Sequence, residues 1–164
     1  MDHSSSPAVA TIASSSPSLL LDEQFCFALY AASRSVTSIY RPLLEKLGLT
    51  YPQYLAMLVL WESDGITVRE LGQRLMLDSG TLTPLLKRLE QAGLLQRQRR
   101  RSDERELQIN LTPAGDTLRQ QAGEIPGCLL ERLCLDIPKL KQWRDELKQL
   151  VARLHSPHVP GEAP

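Results

Sequence analysis

Between Thr67 and Leu111 the apolar pattern changes its period, and that change limits the folds open to this chain more than any other feature. Thr67 followed by Glu70 is a capping-box start for a short helix carrying Leu71, Leu75 and Met76. Leu77-Asp78-Ser79-Gly80 breaks it, and a second helix is predicted from Thr81 to Ala92, stopped by Gly93. Two short helices joined by a tight turn form a helix-turn-helix candidate. Alternation then replaces the helical spacing and predicts strands over 94–100 and 106–111, joined by the polar tip Arg101-Ser102-Asp103-Glu104-Arg105. So short a hairpin is not stable alone, and it must lean on the helices beside it.

The flanks are helical. From Leu19 to Leu47 apolar residues recur at the spacing of a long amphipathic helix, which Pro42 is expected to kink and Gly48 to end. Tyr51-Pro52 opens a second helix through Trp61, closed by Asp64-Gly65. Thr112 caps a fifth helix with Pro113 at its first position, running to about Ile125-Pro126-Gly127, and a last helix carries Leu140, Trp143, Leu147, Leu150, Val151 and Leu154. The resulting fold class is mainly α with a small β-hairpin wing (α+β): a winged helix-turn-helix with long N- and C-terminal dimerisation helices. The DNA-binding lobe is expected at about 51–112 and the dimerisation helices at about 19–48 and 113–155, within a domain spanning 19–155. The terminal stripes have no third layer to cover them, so a homodimer is the expected way to bury them. Residues 1–18 and 156–164, rich in Ser, Ala and Pro, read as disordered tails.

Charge is balanced over the chain, 19 Lys+Arg against 19 Asp+Glu, which argues against a globally basic protein. The distribution is uneven. Thr67–Arg105 holds nine basic residues and five acidic ones, an excess of four that the rest of the chain offsets. No apolar run reaches the ~20 residues that span a bilayer, so no membrane association is expected. Cys26, Cys128 and Cys134 are too few and scattered for a disulfide scaffold and, with no export signal, read as reduced cytoplasmic thiols. No phosphate loop, nucleotide fingerprint or metal-ligand cluster is apparent, so neither a cofactor nor a metal is expected and an enzyme is not the first reading.

Helical geometry sorts the second short helix into faces. Leu82, Leu85, Leu86, Leu89 and Ala92 share a stripe within about 80°, while Gly80, Pro84, Lys87 and Gln91 fall opposite, with Thr81 and Arg88 on the flank. Small and hydroxyl side chains at the start admit base edges, and Lys and Arg at the end meet phosphate or guanine, the profile of a recognition helix. Ser79, Gly80, Thr81, Pro84, Lys87 and Arg88 are the candidates there. Pro84 requires a bend unless the helix starts near Thr81. Arg97, Arg99, Arg100, Arg101 and Arg105 of the hairpin suit phosphates and a narrow minor groove.

The stretch VRELGQRLMLDSGTLTPLLKRLEQAGLLQRQRRRSDERELQINLTPAG resembles the MarR family of winged-helix repressors, through Asp103 and Arg105 in the wing and Leu111, Thr112 and Gly115 after it. The resemblance implies that Arg105 reaches the minor groove of double-stranded DNA and that Asp103 orients it.

Cys26, among Phe25, Phe27 and Leu29, is by default an inert core thiol. Tyr40 shares its helical direction but lies roughly 21 Å along the axis, so one straight helix cannot bring the two together, whereas a second, antiparallel subunit could. FCFALY…IYRPLLEKLGLTYPQYLAMLVLWE resembles the organic-hydroperoxide-sensing branch of the family, known as OhrR. That likeness implies a redox-sensing Cys26 hydrogen-bonded by Tyr40 and Tyr51 of the partner subunit. It also implies a resolving cysteine, Cys134 or Cys128, with Cys134 slightly favoured. The implied function is a cytoplasmic repressor whose reduced dimer binds an inverted-repeat operator and lets go when organic hydroperoxide, the inducer, oxidises Cys26. The alternative is a MarR-type repressor released by a small phenolic or aromatic ligand bound near Tyr51, Tyr54 and Trp61, with Cys26 structural.

Overall fold

The computed structural model describes residues 18–100, 103–133 and 136–156; for Arg100 and residues 103–105 it describes the backbone alone. Of the expected tails at 1–18 and 156–164, residues 1–17 and 157–164 lie outside the described residues, as do Arg101 and Cys134. Two compact units divide the chain, Met1–Val36 and Thr37–Pro164. The element order is α1 (Phe25–Glu45), α2 (Tyr51–Glu62), α3 (Val68–Leu75), α4 (Ser79–Gln91), β1 (Leu95–Arg100), β2 (Asp103–Leu111), α5 (Pro113–Ala122), α6 (Ile125–Leu133) and α7 (Ile137–His155). A 3-10 turn at Leu21–Glu23 precedes α1, so the first helix starts six residues later than the periodicity suggests. Pro42 sits inside α1, which continues through it to Glu45. Gly48, at φ +67, closes the helix: its N–H and that of Leu49 turn back to Glu45 and Leu44, satisfying carbonyls the helix leaves open.

The core of the second unit gathers on α2, where Tyr54, Ala56, Met57, Val59, Leu60 and Trp61 are buried. Leu44, Leu49, Leu71 of α3, the Leu82, Leu85, Leu86 and Leu89 stripe of α4, Leu95, Ile109, Ala122 and Ile125 complete it. Ala92, expected on that stripe, is exposed and forms the C-cap of α4, because the helix has ended before its side chain can turn inward.

Asp78, not the turn itself, sets where α4 begins. Its carboxylate accepts the Thr81 N–H at 3.0 Å, so Ser79 and Gly80 belong to the helix rather than to the break predicted before Thr81. Pro84 therefore lies beyond the first turn, inside a helix assigned without interruption from Ser79 to Gln91. At the other end the hairpin pairs antiparallel with Leu95 opposite Leu111 and Arg99 opposite Leu107, and a register shift follows Arg99. β2 extends back to Asp103, so the tip is shorter than predicted.

The hairpin leans on more than helices. Ile109 N–H donates to the Ile66 carbonyl at 2.8 Å, Gln108 Nε2 to the Gly65 carbonyl at 2.8 Å, and Leu111 N–H to Asp64 Oδ1 at 2.8 Å. The Asp64–Thr67 loop thus acts as a short third strand that ties wing to α3. Residues 125–127, expected at the end of the fifth helix, are instead the first turn of the separate helix α6, with Pro126 in a position where a missing N–H costs nothing. α7 has no buried residue, and its Ile137, Trp143, Leu147, Val151 and Leu154 are exposed.

Candidate functional site

The outer face of α4 is built as its spacing suggests. Ser79, Gly80, Thr81, Pro84, Lys87 and Arg88 are all exposed, as is Arg99 on β1. The start of a helix ordinarily attracts phosphate, but here Asp78 occupies that place. Hydrogen bonds from the Thr81 backbone and hydroxyl hold its carboxyl below the usual carboxylate range, so it stays anionic. The start of α4 is therefore suited to base edges and its basic end to phosphate. Thr81 donates its hydroxyl hydrogen to Asp78 at 2.9 Å and Thr83 donates to the Ser79 carbonyl at 2.7 Å. Both oxygens face outward as acceptors, complementary to amino groups of adenine or cytosine in a major groove.

Arg97 does not belong to this face. Its backbone N–H, Nε and Nη2 all donate to the Glu90 carboxylate, at 3.0, 3.0 and 2.6 Å. That clamp ties the end of α4 to β1 and holds the Glu90 carboxyl below its usual range. Arg74 is likewise engaged, by Glu62. Replacing Glu90 with Gln keeps the size but removes the charge, and is expected to cost about 1 kcal/mol in urea unfolding, the scale of a part-exposed ion pair. Arg97→Ala should cost at least as much, because it also strips packing from the hairpin. Of the wing pair Asp103 and Arg105, the structure describes backbone only, both residues lying in β2.

Cys26 is the second residue of α1 and is exposed in the single protomer. The first backbone bond of this helix runs from Ala28 to the Gln24 carbonyl, so the Cys26 amide precedes the intrahelical ladder. Cys128 lies on α6 and is half-buried.

Tyr40 and Tyr51 pack with ring centroids 4.9 Å apart, and Tyr54, placed by sequence only near a possible ligand pocket, joins them at 5.9 Å from Tyr40. Burial, with the neighbouring Tyr51 and Tyr54 phenols adding to it, pushes Tyr40 up to about 12. Burial also raises Tyr51 and Tyr54. These phenols therefore stay protonated, as donors, throughout the physiological range. Because the neutral form is favoured on folding, Tyr40's share of stability is complete below pH 10.0 and is lost as pH rises towards about 12. An alkaline unfolding series followed by tyrosinate absorbance should show this loss, and Tyr40→Phe should flatten it.

A smaller pocket of about 290 Å³ is lined by Tyr54, Leu58, Trp61, Glu62 and Arg119 among others, but not by Tyr51. Trp61 spends its indole N–H on the Gly115 carbonyl at 2.8 Å, so it offers only a ring to that pocket.

A helix-turn-helix with an adjoining two-stranded wing defines a winged-helix protein. The sequence profile of the MarR family matches residues 49–107. The organic hydroperoxide resistance transcriptional regulator of Bacillus subtilis (strain 168) is 50% identical over 135 residues, 82% of this chain and 92% of that protein. The structure of reduced AbfR bound to DNA superposes with a TM-score of 0.69 at 40% identity, covering 82% of this chain and 94% of that one. The structure of disulfide-formed AbfR gives 0.57 at the same identity, covering 82% and 91%. AbfR is a protein of Staphylococcus epidermidis. The present chain belongs to the MarR family. None of its described helices is long and apolar enough to cross a membrane.

Proposed function

We propose that this chain is a redox-sensing repressor, cytoplasmic and homodimeric, with an operator-binding lobe at about 51–112 and dimerisation helices at about 19–48 and 113–155. Recognition helices of the reduced dimer enter successive major grooves of an inverted repeat, about 34 Å apart. α4 presents Ser79, Gly80, Thr81, Pro84, Lys87 and Arg88; the wing presents Arg99, Arg101 and Arg105, the last oriented by Asp103. The observation that carries the reading is the position of Cys26 at a helix start, in a chain 50% identical over 135 residues to an organic hydroperoxide resistance regulator.

Tyr40 and Tyr51 of the partner subunit donate to the Cys26 thiolate. The thiolate attacks one peroxide oxygen, the O–O bond breaks, and the organic fragment leaves as an alcohol, with sulfur oxidised by two electrons to sulfenic acid. Condensation with the thiol of Cys128 or Cys134 releases water and forms a disulfide. Loss of the Tyr–thiolate bonds and the pull on the terminal helices turn the recognition helices out of register, and each lost phosphate contact weakens binding through counterion uptake. The protein acts once per oxidation and is not a peroxidase with turnover.

The test is an electrophoretic titration on a duplex selected from a random library by the reduced protein. A brief exposure to one equivalent of cumene hydroperoxide, which a thiolate consumes far faster than a thioether does, is expected to release wild type and leave Cys26→Ser bound. Equal release of both would overturn the assignment. Release of both by a phenolic acid would favour the pocket beside Tyr54 and Trp61 instead.

A further inference from the structure

We propose that Met76 is a second oxidation site, where an organic hydroperoxide transfers one oxygen to the thioether and weakens DNA binding independently of any cysteine. This deepens the peroxide-response reading and rests on it for the oxidant. The chain has three methionines, of which the structure describes two, and they could hardly differ more. Met57 is 0% exposed in the core, whereas Met76 is 65% exposed at the C-cap of α3.

Its backbone is the only positive-φ residue other than glycine among the described residues, at φ +53. That conformation is disfavoured for a side chain with a Cβ, so the surrounding bonds must hold it. Those bonds are Met76 N–H to the Gln73 carbonyl at 3.3 Å and Leu77 N–H to the Gly72 carbonyl at 3.0 Å. Together they set the turn from α3 into α4, two residues before the Asp78 cap.

The side chain also lines a cleft of about 700 Å³ whose apolar lining includes Val68, Leu77, Leu82 and Leu107, with Arg69 alongside. α3, the start of α4 and β2 meet in this cleft. It can seat the hydrocarbon part of an alkyl or aryl hydroperoxide beside the sulfur, and hydrogen peroxide has no such part. The sulfur lone pair attacks the terminal oxygen and the O–O bond breaks. The peroxide proton passes to the departing alkoxide, leaving an alcohol and a sulfoxide. Sulfur loses two electrons and the peroxide gains them. A sulfoxide is polar and chiral where the thioether was apolar. It is poorly matched to the apolar cleft it borders and draws water to the strained turn that orients the recognition helix.

The experiment uses the full-length dimer carrying Cys26→Ser, Cys128→Ser and Cys134→Ser, with and without Met76→Leu. Cumene hydroperoxide or hydrogen peroxide is added at equal concentration, followed by peptide mass mapping and fluorescence anisotropy on the selected duplex. Met76 is expected to gain one oxygen and Met57 none, several-fold faster with the organic peroxide. Affinity should fall about fivefold or more, recover with methionine sulfoxide reductase, and stay unchanged in Met76→Leu.

No oxygen at Met76, affinity within about twofold after oxidation, an equal loss in Met76→Leu, or equal rates with the two peroxides each overturns the proposal. Release of wild type but not of the cysteine-free protein sinks this proposal and leaves the Cys26 reading standing. Equal release of both, abolished by Met76→Leu, does the reverse.

Discussion

Gly115→Ala is expected to destabilise the protein by about 3 kcal/mol and to lower its melting temperature by roughly 10 °C. The cause is not backbone freedom, since Gly115 has no positive φ. A Cβ at this position would lie 2.0 Å from the Leu94 carbonyl oxygen, with Leu111 Cδ2 at 3.2 Å behind it. The obstruction is backbone, and it is held on several sides. Leu94 accepts the Thr112 N–H, Thr112 donates its hydroxyl to Gly93 and caps the Gly115 N–H, and Trp61 donates to the Gly115 carbonyl. Relief therefore means lifting α5 off the turn between α4 and β1, at the cost of those bonds.

Gly127→Ala supplies the control. It lies within α6 with nothing inside 4 Å of its added Cβ, so it should be neutral or stabilising by about 0.5–1 kcal/mol. Thermal melts of the two variants beside wild type decide the matter. A Gly115→Ala protein melting within a degree or two of wild type would show that the contact yields cheaply.

Replacing Tyr40 and Tyr51 together with Phe should slow the reaction of Cys26 with cumene hydroperoxide about tenfold or more at pH 7, with DNA affinity of the reduced protein kept within about threefold. Both rings and their mutual packing survive the change, and only the hydroxyls are lost. If those phenols support the thiolate as proposed, raising the pH should restore much of the rate. Stopped-flow peroxide consumption across pH 6–9 reads this directly. A double variant reacting as fast as wild type at pH 7 would mean that the partner's phenols do not support the thiolate. Loss of rate at every pH would point to a misplaced thiol instead.

The local devices of this fold were legible before any coordinates. The capping box of Thr67 and Glu70, the Thr112 cap and the Leu82–Leu89 stripe depend on residues three or four apart, and they form as expected. Where prediction slipped, a longer-range or competing local contact had taken over. Asp78 captured Thr81 and drew Ser79 and Gly80 into α4; Pro126 could open a helix as well as close one. Arg97 looked like one more cation in a basic hairpin until Glu90, seven residues earlier, was seen to accept all three of its donors. Asp64 read as a turn residue, yet it anchors Leu111 across 47 positions.

From its residue order alone, this protein was committed to a helix-turn-helix with a wing, to a small-then-basic outer face on α4, and to a cysteine at the front of its first helix. Periodicity and capping act over a single turn, and so they are written in neighbouring letters. Two matters were left to the tertiary structure: which arginines remain on the outer face, and why position 115 has no room for a Cβ. Each depends on what a distant part of the chain places within a few ångströms, and spacing along the sequence carries no record of that.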